Sequence, residues 1–177
     1  MQPPDYLPIA TRGQYHDALR DAFAEAAAIG CREILMCDDH FADWPLNEAG
    51  LVEHLAQWAT AQRRITVLAR SFEQIARLHP RWVAWRRTWS HVIDCRSNNE
   101  LEAGQMPTLL LMPGVLTLKL VDAVNYRGSV SRHAGDAVLA REAFDAPLQR
   151  SEAASPATVF GFLMIRRPPR STLFPYT

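Results

Sequence analysis

The sequence predicts an α/β domain: a mixed sheet with helices on both faces, a parallel βαβ first half and an antiparallel second half. Three observations lead there. Up to Cys95, compact apolar runs alternate with stretches of helical periodicity, and parallel strands need crossovers of that kind. Beyond Pro107, strand-like runs follow one another through tight Gly- and Pro-containing turns, which join antiparallel neighbours. The chain has 177 residues, the size of one domain by the usual range of about 100–200, and shows no repeat or dividing linker.

Leu7–Ala10 reads as an edge strand, because Pro8 has no N–H to give a ladder. Thr11 stands three residues before Gln14, a capping-box spacing. Tyr15, Leu19, Ala22, Phe23, Ala26 and Ile29 then recur at helical spacing up to Gly30, which suits the left-handed position after a helix. Glu33–Cys37 is a buried strand and Asp38–Pro45 its outgoing loop. Leu46–Ala61 is a helix with Leu51, Val52, Leu55, Trp58 and Ala59 on one side, and Ile65–Ala69 is a β-branched strand. Phe72–Leu78 and Arg81–Ser90 are helical, with Pro80 at the start of the second. His91–Cys95 is a third strand and Ser97–Pro107 a polar loop. Thr108–Met112 and Thr117–Ala123 form a hairpin over Pro113-Gly114. Asn125–Gly128 is a turn, Gly128–Arg132 a short strand and Asp136–Ala146 the last helix.

Hydrophobic residues make up 48% of the chain, enough for a core without disulfide staples. No apolar run approaches the roughly 18 residues of a membrane helix. Met1–Arg12 lacks the basic start and apolar centre of a signal peptide, which argues against export. Cys31, Cys37 and Cys95 are odd in number and hold no Cys-x-x-Cys pair. That argues against a disulfide framework and a zinc site, and fits small buried thiols in a cytoplasmic protein. No metal and no cofactor are expected. Lys119 is the only lysine beside 18 arginines, the bias of a GC-rich bacterial genome.

The end of the chain has another character. Met164 to Thr177, reading MIRRPPRSTLFPYT, resembles the in-frame translation of a short-read sequencing adapter. Phe162 and Leu163 belong to the same junction. Residues 1–157 are therefore taken as the single domain and 162–177 as an artefactual, disordered tail. Without the tail's three arginines, 16 basic residues face 19 acidic ones, a net charge of −3. Such a balance offers no global attraction to nucleic acid.

Three constellations are candidates for chemistry. Asp38, Asp39 and His40, with Asp43 nearby, follow the first buried strand, and open α/β sheets bind ligands at carboxyl ends of strands. Carboxylates beside an imidazole can serve as acid and base or hold a divalent ion. The commoner use of such a turn is a solvated cap for the next helix. Ile34–Leu55 resembles the opening of a response-regulator receiver domain, but Asp94 falls too late for its phospho-acceptor and no lysine follows at a suitable place. Second, Trp82, Trp85 and Trp89 share a helical face among Arg77, Arg81, Arg86 and Arg87. Residues 63–96 carry a net +6 and residues 5–61 a net −7, charges that can pair within the fold or between subunits. Arginine interleaved with tryptophan can bind nucleic acid or an anionic surface, though a tryptophan stripe is more often core. Third, Ser129, Ser131, Arg132, His133 and Asp136 bring a Ser/His/Asp set together without a nucleophile elbow.

The order of elements resembles half of a phospholipase-D-type domain. It is closer to a proteobacterial domain sometimes fused to GNAT acetyltransferases. The matching stretches are "EILMCDD", "RITVLARS", "HPRWVAWRRTWSHVIDCRS" and "LKLVDAVNYRGSVSR", within Tyr6–Glu152. Active phospholipase-D-type enzymes carry a His-x-Lys-x4-Asp motif. Here the sole lysine, Lys119, has Thr117 two places before it, so no catalytic residue carries over. The resemblance implies a degenerate, non-catalytic member that binds a ligand or a partner. The reading is therefore a non-enzymatic binding or accessory module of a bacterial cytoplasm. Its first alternative is a phosphoester-type or metal-assisted enzyme using Asp38, Asp39 and His40. Its second is a nucleic-acid or anionic-surface binder using Arg77, Arg81, Arg86 and Arg87. A homodimer, or a fused or separate partner protein, is compatible with each, and no membrane span is expected.

Overall fold

Alternation along one strand shows how the core is divided. In β2 (Glu33–Asp38), Ile34 and Met36 belong to one buried cluster and Leu35 and Cys37 to another. A strand buried on both faces needs cover on both. The computed structural model describes residues 2–60 and 62–154. Its helices supply that cover: α1 (Arg12–Ile29), α2 (Ala49–Trp58), α3 (Glu73–Leu78) and α4 (Pro80–Thr88) pack on the Ile34 face, and α5 (Ala134–Leu148) on the Leu35 face. The other strands are β1 (Tyr6–Ile9), β3 (Arg64–Ala69), β4 (Ile93–Ser97), β5 (Thr108–Met112), β6 (Leu116–Asp122), β7 (Arg127–Ser131) and β8 (Glu152–Ala153). They lie in the order β1-β7-β6-β5-β2-β3-β4-β8. Among the described residues only β2-β3 and β3-β4 run parallel; β5, β6, β7 and β1 continue the sheet antiparallel. The mixed sheet with helices on both faces, parallel first and antiparallel after, is thus the one predicted.

Local chemistry explains the boundaries. The Thr11 side chain accepts from Gln14 N, and Gln14 Oε1 reaches back to Ala10 N at 2.9 Å, so α1 starts at a near-regular capping box. It ends at Gly30, whose φ of 72° is left-handed. In the β5–β6 hairpin, Val115 N bonds to Met112 O across Pro113 and Gly114, and Gly114 has φ 78°. A type II turn needs that left-handed residue after its proline. Pro8 lies on β1, the outermost strand, as its missing N–H requires. Gly128 lets β7 approach β6 beside a register shift: a Cβ there would lie 2.0 Å from Lys119 O.

The structure also differs from the expected elements. The helix expected over Leu46–Ala61 is shorter, and Leu46 is instead fully buried in the preceding loop. The third strand sits two residues later than expected, because a turn closed by Val92 N on Trp89 O takes up His91 and Val92. Polar Arg96 and Ser97 belong to that strand because β8 pairs with them and Arg96 bonds to Ser151. β8 is two residues long and left no periodicity to read. The expected domain end at residue 157 and the expected tail over 162–177 lie outside the described residues. Among the described residues no helix is long and apolar enough to cross a membrane. Cys31, Cys37 and Cys95 are free and buried, and desolvation pushes the Cys95 thiol up to about 11.

The tryptophan stripe is core. Trp82 is fully buried and Trp85 nearly so, with ring centroids 6.4 Å apart, while Trp89 packs against the cluster edge. Trp82→Ala is expected to lower the unfolding free energy by about 3–5 kcal/mol, the cost of an aromatic cavity. Urea denaturation checks it; a midpoint like that of the unaltered chain would place Trp82 outside the core.

A candidate ligand cleft at the carboxyl end of the central strand

Register brings several loops to one end of the sheet. Asp38 pairs with Ala69, and Ala69 with Ser97, so the chain leaves β2, β3 and β4 on the same side. β5 enters there at Thr108, opposite Leu120 of β6, and the β6–β7 turn closes the same edge. Between these segments lies a cleft of about 330 Å³. Its walls include Asp38, Asp39, His40, Asp43 and Trp44 from the loop after β2, Tyr15 from α1, Thr108 and Leu120 from the sheet, and Tyr126 from the turn.

Asp38 is only 8% exposed and is not a solvated cap. Its Oδ2 accepts from Phe41 N at 2.7 Å and His40 N at 3.2 Å, and its Oδ1 from Thr108 Oγ1 at 2.6 Å. A carboxylate bound by three donors organises the chain around it. Helix α2, which the turn was expected to cap, starts after Glu48 with no side-chain cap bond. Asp39 Oδ1 accepts from Arg70 Nε at 2.9 Å, and its carbonyl takes Arg70 N and Ser71 N. The Nδ1 of His40 accepts from Ala42 N, so its Nε2 carries the proton and acts as a donor. Phe41 holds a left-handed φ of 55° with its ring fully buried, and its carbonyl accepts from His79 Nε2 at 2.8 Å. Burial lowers the pKa of His79 below its usual 6.5, the hydrogen bond to Phe41 opposing it in part.

Asp43 faces the amino end of α1. Its Oδ1 accepts from Arg12 Nε at 2.8 Å, and His16 Nε2 bonds to its carbonyl. Its Oδ2 is buried without a hydrogen-bond partner, as are Tyr15 Oη and Trp44 Nε1. Tyr15 is 2% exposed, and burial, with the charges of Asp38 and Asp43, raises its pKa, so the phenol stays protonated. The ring of Tyr15 meets Trp44 edge-on, centroids 6.4 Å apart, and lies 6.1 Å from Tyr126 on its other side.

The remaining predicted residues stand elsewhere. Asp94 lies near the start of β4, the end of the sheet away from Asp38. Among the described residues no three His, Cys, Asp or Glu side chains gather to hold a metal ion. Arg81 spans to Asn47, donating from its backbone N to Oδ1 and from Nη1 to the carbonyl. Arg86 lies beside the buried Cys95 thiol, while Arg77 and Arg87 are exposed. At about 100° per residue, Arg81, Arg86 and Arg87 point to different sides of α4. Of the arginines in 63–96, only Arg70 pairs with a carboxylate among the described residues. Ser131 Oγ donates to Asp136 and accepts from His133 N, which fastens the start of α5, and His133 is exposed. The Ser/His/Asp set thus ties the end of β7 to the first turn of α5. Sequence reasoning missed Tyr15, Trp44 and Tyr126 as walls of one cleft. Tyr15 looked like any core position of its helix, and nothing local ties it to residues 29 and 111 places away.

No family model matches the chain, and no curated protein does. A solved structure does. TrmBL2, an archaeal chromatin protein described as showing a novel mode of DNA binding, aligns with a TM-score of 0.61 at 15% identity. The alignment covers 85% of this chain and 54% of TrmBL2, so the chain spans about half the length of that neighbour. A likeness at that identity shows a shared fold.

Two outcomes follow for the loop after β2. Asp38→Ala strands three donors and is expected to cost about 3 kcal/mol, whereas Asp38→Asn costs about 1 kcal/mol, since its oxygen keeps the two backbone donors and the Thr108 hydroxyl can turn to accept. Equal losses in urea would show that the hydrogen bonds do not set the cost. His79 is neutral when folded and binds a proton more readily when unfolded. Stability is therefore full above pH 6.5 and declines as pH falls from there toward the lowered folded pKa. The decline in Tm over that interval should shrink in His79→Gln; an unchanged slope would assign it to other histidines.

Proposed function

We propose that this domain is a non-enzymatic binding module whose site is the cleft between the loop after β2, α1 and the β6–β7 turn. The observation that carries the reading is a division within the cleft. Asp38 and Asp39 spend their oxygens on the fold, while Tyr15 Oη and Asp43 Oδ2 have no partners. Buried polar groups without partners in a folded protein call for water or a ligand. A general base needs a free lone pair near its substrate, and the Asp38–His40 turn has few to offer: His40 Nδ1 is occupied by a backbone N–H. A phosphoester would meet three carboxylates in the walls and no lysine or arginine. Descent from a phospholipase-D-type half-domain belongs to the same proposal, because loss of the His-x-Lys-x4-Asp motif leaves a fold that binds without hydrolysing.

Nucleic-acid binding is the second reading, favoured by one observation: the structural neighbour is described as binding DNA. On this chain it would rest on exposed Arg77 and Arg87, since Arg81 is engaged with Asn47 and Arg86 is half-buried. A thermal-shift screen of small polar molecules, with a fluorescent DNA duplex titrated in parallel, separates the two. A ligand at a hundred times its Kd stabilises by about 2.7 kcal/mol. Hits should disappear in Ala123→Trp, which fills the cleft from its exposed rim. Hits that persist in Ala123→Trp, or none at all, would sink the cleft reading. DNA binding that is salt-dependent and lost in Arg77→Ala with Arg87→Ala would put the second reading first.

A further inference from the structure

We infer that the cleft selects an organic ammonium ion, a protonated or quaternary amine, held by Asp43 and the ring of Tyr126; this rests on the cleft being a binding site. The argument begins with charge. The walls carry Asp38, Asp39 and Asp43 and no lysine or arginine; with Arg70 on Asp39 and Arg12 on Asp43, three carboxylates face two guanidiniums, a balance that still favours a cation over a free anion. The three carboxylates are not equivalent. Asp38 has its lone pairs satisfied by three neutral donors and Asp39 is paired with Arg70, both from within the fold. Asp43 draws its counter-charge from Arg12 at the start of α1, whose side chain is 61% exposed and which reaches Oδ1 alone, leaving Oδ2 without a partner. A guanidinium at 2.7 Å marks a position where a cation is already held, and a second acceptor oxygen remains beside it.

The surroundings of Asp43 suit a cation with carbon attached. Asp43 and the half-buried Tyr126 line the same cleft, and the Tyr126 ring stands 6.1 Å from that of Tyr15. An ammonium over an aromatic face gains from the ring quadrupole, and its alkyl groups gain from apolar walls. Met106, Leu120 and Val124 supply such walls. A bare metal ion finds no gathered ligand set among the described residues. A sugar would need an open flat ring to stack on. Trp44 does not offer one: it is 2% exposed, with Phe41 at 4.9 Å and Tyr15 edge-on at 6.4 Å. Tyr15 completes the site. Its buried, protonated hydroxyl has no partner and sits within the field of Asp38 and Asp43, where it can donate to a hydroxyl or carbonyl carried by the amine.

The test uses the whole chain and four probes in separate titrations: choline chloride, putrescine dihydrochloride, sodium phosphate and glucose. Tm and tryptophan fluorescence are the readouts. Choline or putrescine should raise Tm saturably, and the apparent Kd should weaken with added salt. Asp43→Asn should weaken it at least tenfold and Tyr126→Leu about fivefold, while Ala123→Trp abolishes it. Asp43 pairs with Arg12 and Tyr126 packs at the core edge, so each variant is read as the ligand-induced shift from its own unliganded Tm; if Asp43→Asn does not fold, Tyr126→Leu and the salt dependence decide. Saturation by glucose or phosphate, with both amines silent and Ala123→Trp abolishing the response, overturns the ammonium assignment and leaves the cleft reading standing. Amine binding indifferent to Asp43→Asn and Tyr126→Leu overturns the assignment as well. Silence of all four probes also overturns it, and the wider screen then judges the cleft.

Discussion

The carboxylate of Asp38 is the constraint from which the site end of this molecule is built. It closes the central strand, is nearly dry, and must find donors for its lone pairs or leave the core. It finds them in Thr108 of the neighbouring strand and in two successive amides of its own outgoing loop. Meeting those amides forces the chain to reverse at once, and Phe41 takes a left-handed conformation that costs a non-glycine residue about 1–3 kcal/mol. Three anchors sustain that cost: the Phe41 amide on Asp38, its carbonyl on His79, and its ring in the core. The reversal swings Asp43 and Trp44 back onto α1, where Arg12, Tyr15 and His16 meet them. The site is thus a by-product of how one buried charge is satisfied.

That arrangement separates two uses of acidic side chains that look alike in sequence. Asp38, Asp39 and Asp43 fall within six residues and line one cleft. Each nonetheless has its own counter-group, drawn from β5, from the residue after β3, and from the start of α1. Adjacent carboxylates with separate partners do not share a proton and do not present a common ligand set, which is what acid–base pairs and metal sites require. What is left without a partner includes one carboxylate oxygen and one phenol, both buried against the cleft.

The sheet was legible because its causes are local. The alternation in Glu33–Asp38, the β-branched Ile65–Ala69 run and the Pro113-Gly114 turn each carry their structure in a few neighbouring residues. The tryptophan stripe was legible for the same reason: three rings at helical spacing define one face, and the sheet covers it. The cleft was half legible. Strand-end position pointed to Asp38, Asp39 and His40, but their roles depend on partners far along the chain: Thr108 is 70 residues from Asp38 and Arg70 is 31 from Asp39. The acidic turn therefore looked solvated when its first member is buried. Asp94, at the wrong end of β4, shows the same limit: a shift of two residues in a strand boundary moves a side chain from one end of the sheet toward the other.

The likeness to TrmBL2 is informative about the part of the molecule that resists change. A sheet with this order keeps its fold as long as the strands present apolar residues to both helix layers, and many sequences satisfy that at 15% identity. The cleft is made differently. Its decisive groups stand on α1 and on two loops, residues 39–44 and the β6–β7 turn, and loops tolerate substitution far more freely than the strands that carry them. Val124 on that turn is exposed, and Tyr126 beside it is half-buried against the core edge, next to Tyr15. A shared sheet therefore says nothing of what either protein recognises. On the proposed reading, recognition is set by which side chains the two loops bring to the cleft, and here they bring aromatic rings and a carboxylate paired on one oxygen with Arg12.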